Sequence, residues 1–159
     1  MKHLFALATV LAVAGLGVGV GCGGEGQLSR NEFSDRLQSI DRQGGEKWGR
    51  LAERAKDLKP DEPFPTAVEQ PMRELVEFQL ETARELAELN PPNGSEDEVA
   101  MLITAIHERT GVFGEALEVG HFTRQQFDQI THSGNAIDEA FQRLRDGGFL
   151  PMVDEHEDE

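Results

Sequence analysis

The chain has 159 residues, with 15 Lys and Arg against 30 Asp and Glu, and a formal net charge of −15. So acidic a protein repels nucleic acid and anionic lipid headgroups, which excludes partners held by a basic face. Its one cysteine, Cys22, excludes an internal disulfide, and plentiful Ala, Leu and Glu with no Tyr and one Trp lean the composition toward helix.

The chain opens on the basic Met1-Lys2-His3. An uncharged run follows from Leu4 to Val20, almost wholly Ala, Leu, Val and Gly. This is the n-region and h-region pattern of a secretory signal. At about 17 residues the run sits at the lower edge of what a membrane span needs. The glycines of its second half, LGVGVG, weaken a helix further. A signal that is removed, residues 1–21, fits better than a stable span.

Gly19-Val20-Gly21-Cys22 resembles the lipobox of bacterial prolipoproteins. There a small residue precedes a cysteine that is diacylated and becomes the first residue of the mature chain. Val20 and Gly21 match the pattern; Gly19 departs from it, because a large apolar residue is usual at that place. The resemblance implies lipid attachment at Cys22 and an address on the extracytoplasmic face of a membrane. Loss of residues 1–21 removes only Lys2 among the charges, so 14 basic residues face 30 acidic ones and the mature charge is −16. Membrane contact would then come from diacylglycerol and palmitate-type acyl chains, each CH₂ contributing about 0.8 kcal/mol. Residues 22–28 read as the lipidated cysteine and a Gly-rich tether.

Four start signals follow in chain order. Ser29-Arg30-Asn31-Glu32 is a capping box, with Leu28 and Phe33 placed as a hydrophobic staple. Apolar residues then recur in steps of three and four at Phe33, Leu37, Ile40, Trp48, Leu51, Ala55 and Leu58, with Gly44 filling the gap. The pair Gly44-Gly45 is a place where this helix could kink. After the loop Pro60–Pro65, Thr66 to Glu69 matches a second box. Pro71 complicates it and makes Pro71 itself an alternative first helical residue. The stripe runs on through Met72, Leu75, Val76, Phe78, Ala83, Leu86 and Leu89.

Asn90-Pro91-Pro92-Asn93-Gly94 ends that helix. Ser95 to Glu98 is a third box, its acids well placed for the helix dipole. Val99, Leu102, Ile103, Ile106, Phe113, Ala116 and Leu117 make the third stripe, and Gly120 is placed to cap its end. Thr123 to Gln126 is the fourth box, stapled by Phe122 and Phe127. Its stripe is Phe127, Ile130, Gly134, Ile137, Phe141 and Leu144. Gly147-Gly148 stops it, and residues 149–159 read as an acidic, disordered tail.

The pattern predicts an all-α fold, an antiparallel up-down-up-down four-helix bundle over residues 29–148. Two less regularly packed hairpins, with helix 1 broken at its glycines, are the alternative. In an up-down bundle the first and last helices are neighbours. Gly44 and Gly134, near their midpoints, then mark a close helix contact, a small pocket, or room left for an aromatic side chain.

Signals for chemistry are few. A di-iron site wants Glu-x-x-His on two helices; the chain has one such spacing, Glu118-Val119-Gly120-His121, across an expected helix end. Haem attachment by Cys-x-x-Cys-His and a Gly-x-Ser-x-Gly nucleophile turn are absent from the sequence. His107 and His132 read as solvated surface residues, and His156 lies in the acidic tail. No catalytic, cofactor-binding or metal-binding residue is assigned.

Cys22 with its Gly-rich tether, Leu28-Ser29-Arg30-Asn31-Glu32-Phe33 and Leu89-Asn90-Pro91-Pro92 together resemble a loose set of small, uncharacterised lipoproteins of actinobacterial type. The resemblance implies a helical ectodomain in the cell envelope and carries over no catalytic residue. The sequence-based expectation is a non-enzymatic interaction or envelope-structural module, with an envelope protein as a candidate partner. The alternative is a small-ligand or metal-binding lipoprotein that uses the bundle interior.

Overall fold

The computed structural model describes residues 26–152. The signal segment, Cys22, the first tether residues and the tail from residue 153 onward, His156 included, lie outside the described residues. Four helices follow one another: α1 (Arg30–Ala55), α2 (Thr66–Glu88), α3 (Glu96–Val119) and α4 (Arg124–Asp146). Each packs against its neighbour in sequence, giving a four-helix, all-α bundle.

Two of the four boxes form as read. Ser29 Oγ accepts from the Glu32 backbone N–H at 3.3 Å, and Glu32 Oε2 accepts from the Ser29 N–H at 3.1 Å. At α4, Thr123 and Gln126 exchange the same pair at 3.2 and 2.9 Å. Their staples close as well: Leu28 packs on the cluster that holds Phe33, and the Phe122 and Phe127 rings lie 5.2 Å apart.

The other two boxes do not form. Helix α2 begins at Thr66 itself with Pro65 as its cap, so Thr66 makes no capping bond and Pro71 lies inside the helix. A proline there cannot donate to the carbonyl four residues back. That carbonyl, Ala67 O, instead accepts from Arg54 Nη1 at 3.3 Å, so an α1 side chain supplies the missing donor. At α3, Ser95 is fully buried and its hydroxyl donates to Pro92 O at 2.8 Å. The carboxylate of Glu96 turns back to accept from the Gly94 N–H at 2.6 Å, and α3 starts without a side-chain cap.

Helix α1 runs unbroken through Gly44-Gly45. Helices α1 and α4 share one apolar cluster but stand farther apart than the other neighbouring pairs. Their Cα atoms nowhere approach within 8 Å, and the seam between them is spanned by side chains. Asp41 of α1 accepts from Arg145 of α4 at 3.3 Å, and Phe33 meets the edge of Phe149 at 6.2 Å.

The folded unit extends past both boundaries read from sequence. Gln27 Nε2 donates to Pro91 O and Asn93 Oδ1, each at 2.9 Å, and the Leu28 N–H donates to Asn90 O at 3.0 Å. Residues 27 and 28 therefore belong to the bundle, docked on the α2–α3 loop. At the other terminus, Phe149 and Leu150 are core residues, 5% and 6% exposed, so the bundle does not stop at Gly148. Gly148, at φ +70°, reverses the chain, and the Phe149 N–H returns to Leu144 O at 2.8 Å. A glycine takes that left-handed backbone without strain, which is what lets the chain fold back.

The core falls into two apolar clusters. One, around Phe33, Leu37, Leu86, Leu102 and Leu144, is closed by Phe149 and Leu150. The second, around Leu51, Val68, Met72 and Phe113, is closed at the opposite end by Phe122, which also meets Phe64 edge-to-face with centroids 4.9 Å apart. There the two flanking loops are tied together, Asp61 N–H to Phe122 O at 2.7 Å and Phe64 N–H to Gly120 O at 2.8 Å.

Candidate functional site

Between the two clusters, near the midpoint of every helix, the apolar stripe is interrupted. Gly44 stands four residues after Ile40 in α1. Gln79 stands four after Leu75 in α2, Arg109 three after Ile106 in α3, and Gly134 four after Ile130 in α4. Each position continues a core-facing step of three or four. Where the stripe calls for a large apolar side chain, two helices supply none and two supply a polar group.

The consequence is a cavity of about 380 Å³ lined by all four helices. Ile40 and Trp48 face it from α1, Phe78 and Thr82 from α2, Leu102 and Ile106 from α3, Ile137 and Phe141 from α4. The volume falls within the range of small-molecule pockets, roughly 300–1,000 Å³. Asp41 and Asp138 stand on its wall on the α1 and α4 sides of the open seam.

Gln79 is 7% and Arg109 9% exposed. Among the described residues neither Gln79 Oε1 nor Arg109 Nε has a hydrogen-bond partner. An unpartnered buried polar atom costs about 1–3 kcal/mol, more for a charged group. The Arg109 guanidinium carbon lies 4.9 Å from the centroid of the Trp48 ring. Burial holds the Arg109 pKa below its ordinary value, and the negative charge of Asp138 works in the opposite direction. No carboxylate among the described residues lies within ion-pair distance of it. Asp41 is pushed above the ordinary aspartate range by burial, against the pull of Arg145.

The two glycines make room for different things. A Cβ at Gly134 would lie 2.8 Å from Arg109 Nη2, so this glycine is the space the guanidinium occupies. A Cβ at Gly44 would sit 3.5 Å from Phe78 Cε1, an ordinary contact. The close contact between α1 and α4 does not form; the seam holds a pocket, a cation and an aromatic ring.

The glycines stand on the apolar stripes in sequence, whereas Arg109 and Gln79 are polar and fall outside the apolar pattern. The signal was present: Ile106 to Phe113 leaves a seven-residue gap that a helix stripe fills at position 109.

The other candidates do not converge. Gly120 takes φ +81° at the end of α3 and separates Glu118 from His121. His107 and His132 are exposed, and among the described residues no group of three or more His, Cys, Asp or Glu could hold a metal ion. Among the same residues no helix is long and apolar enough to cross a membrane. No protein-family model, no curated protein and no solved structure matches the chain.

Proposed function

We propose that this protein is a lipid-anchored, extracytoplasmic binding protein whose helical bundle holds a small molecule in its interior. The observation that carries the reading is the mid-height cavity, where Arg109 and Gln79 are kept buried and unpartnered. Polar groups that cost stability without a partner are retained where a ligand completes them. No catalysis is proposed.

Cys22 is the attachment point of this reading, through a diacylglyceryl group in the cell membrane or envelope. Gln27 and Leu28 dock on the α2–α3 loop. Five residues from Cys22 to Gln27 reach at most about 17 Å. The bundle end that carries this loop and Phe149 would therefore face the bilayer. An interaction or envelope-structural module has less support. Only Trp48, Val119 and Met152 are large apolar side chains exposed among the described residues, and they belong to three different segments.

Trp48 is the sole tryptophan and lines the cavity, so it reports on occupancy. The probe is N-phenyl-1-naphthylamine, a neutral apolar dye excited by tryptophan emission. The protein is the mature chain, residues 22–159 with Cys22→Ser, which needs no detergent and contains every buried residue described. Saturable one-to-one energy transfer from Trp48 is expected, and Gly44→Leu, which fills the cavity, weakens it at least tenfold. Absence of saturable transfer in the wild type, or transfer unchanged by Gly44→Leu, would remove the ligand-binding reading. Labelled palmitate on the full chain tests the anchor: labelling and membrane retention are expected to be lost in Cys22→Ser.

A further inference from the structure

Resting on the ligand-binding reading, we infer that the occupant is a small monoanionic organic acid with an apolar body, its carboxylate on Arg109 and a hydrogen-bond donor on Gln79 Oε1. Four observations converge on this chemistry.

The first is the donor set. Arg109 is nine-tenths buried and its Nε–H is unspent. A guanidinium offers planar paired N–H groups that match the two oxygens of a carboxylate. Among the described residues no carboxylate lies within ion-pair distance to take that place.

The second is the acceptor. Gln79 lines the same cavity and its Oε1 is buried and unpartnered, so a ligand whose carboxylate accepts from Arg109 and whose hydroxyl or amide N–H donates to Oε1 would satisfy both orphaned atoms.

The third is what the remaining groups reject. The Trp48 ring, the face on which a ligand cation would settle, already carries the Arg109 guanidinium at 4.9 Å. Asp41 and Asp138 on the same wall repel a second negative charge, so a phosphate dianion is disfavoured relative to a carboxylate. Asp41 is itself held by Arg145 at 3.3 Å, which leaves Arg109 free for the ligand.

The fourth is the wall. Apart from these groups, three glycines and the uncharged Thr82, Thr131 and Asn135, the lining is aliphatic and aromatic, and about 380 Å³ takes a short hydrocarbon body.

The test uses the mature Cys22→Ser chain and four probes that share one eight-carbon body: octanoate, octan-1-ol, octyl phosphate and octylammonium. Each competes against N-phenyl-1-naphthylamine, read by energy transfer from Trp48 at neutral pH. Octanoate is expected to displace the dye at least tenfold more tightly than octan-1-ol, with octyl phosphate and octylammonium weaker than octanoate. Arg109→Met is expected to abolish the advantage of the acid while leaving the alcohol unchanged. Arg109→Lys keeps part of it. 3-Hydroxyoctanoate is expected to bind more tightly than octanoate in the wild type and equally in Gln79→Leu.

Equal binding of acid and alcohol, a preference for the ammonium or the phosphate, or an acid preference that survives Arg109→Met would each overturn the inference. Should Arg109→Met fail to fold, the wild-type series and Arg109→Lys still decide it. Dye binding with no preference for the acid defeats this inference alone, whereas no dye binding defeats the ligand-binding reading beneath it.

Discussion

The two ends of the bundle and its middle are built on opposite rules. At each end a cluster of apolar side chains fills the interior and an aromatic residue from a loop seals it, Phe149 at one end and Phe122 at the other. In the middle the inward positions hold Gly44, Gln79, Arg109 and Gly134, and the α1–α4 seam stays open. A chain able to make two well-packed clusters could have made a third between them. Burial of about 25 cal/mol per Å² of apolar surface favours doing so. The missing layer is a departure from the stability optimum, and such departures gather at functional sites.

Substitutions can break or sharpen this contrast. The largest effect is expected at an end: Phe33→Ala, at a fully buried position, should cost about 3–5 kcal/mol in urea unfolding. A smaller loss would mean that this end is looser than its burial indicates. In the middle the sign reverses. Arg109→Met removes a buried, unpartnered charge and should stabilise the ligand-free protein by about 1–3 kcal/mol. A loss of stability there would show that the stacked guanidinium holds the layer together.

Next in size are the caps. Ser29→Ala should cost about 1 kcal/mol, because that box is complete. Thr66→Ala should be near neutral, since Thr66 makes no capping bond.

The glycine pair offers a smaller, internal comparison. Gly44→Ala should stabilise by about 0.5–1 kcal/mol through backbone entropy, as its new methyl meets Phe78 at ordinary distance. Gly134→Ala has the same propensity gain but drives a methyl against Arg109 Nη2. It should therefore gain less and shift Trp48 emission as the guanidinium moves.

The smallest expected effect is with pH. Asp41 binds its proton more tightly folded than unfolded, because burial outweighs Arg145. Its contribution therefore favours the folded state at low pH and is lost as pH rises above 3.8, the ordinary aspartate value, through the raised folded value. Glu32 and Glu96 act oppositely. Their carboxylates are held below the ordinary 4.5 by hydrogen bonds, those of Ser29 first at Glu32 and backbone N–H donors at Glu96. That stability is present above 4.5 and is lost as pH falls through the lowered values. Asp41→Asn should therefore steepen the rise of the urea midpoint between pH 3.5 and 6. An unchanged slope would mean that Asp41 is solvated.

Much of the helical plan was legible because it is local. The Ser29 and Thr123 boxes, the Gly120 cap and the four stripes need only residues within a turn or two of each other. Thr66 and Ser95 misled for a reason that is not local. Arg54 from α1 reaches Ala67 O in the first turn of α2, and Ser95 is drawn inward to Pro92 O, away from the α3 N–H groups. Phe149 and Leu150 followed a glycine stop and resembled a tail, yet Gly148 turns them back onto the core.

The candidate site was half visible. Two glycines on the stripes announced an irregular mid-height, but whether they meant contact or space turned on the distance between α1 and α4. Amino-acid order alone determined that this chain forms four amphipathic helices with short connections, because periodicity and capping act over a few residues. The resemblance of the segment around Cys22 to a secretory signal and lipobox likewise lies in the amino-acid order itself. Only the tertiary structure decided that Gly44, Gln79, Arg109 and Gly134 stand at one height, that the seam stays open, and that two polar groups meet there without partners. Those outcomes depend on the register of four helices against one another, which side-chain packing across the whole bundle sets and no local window contains.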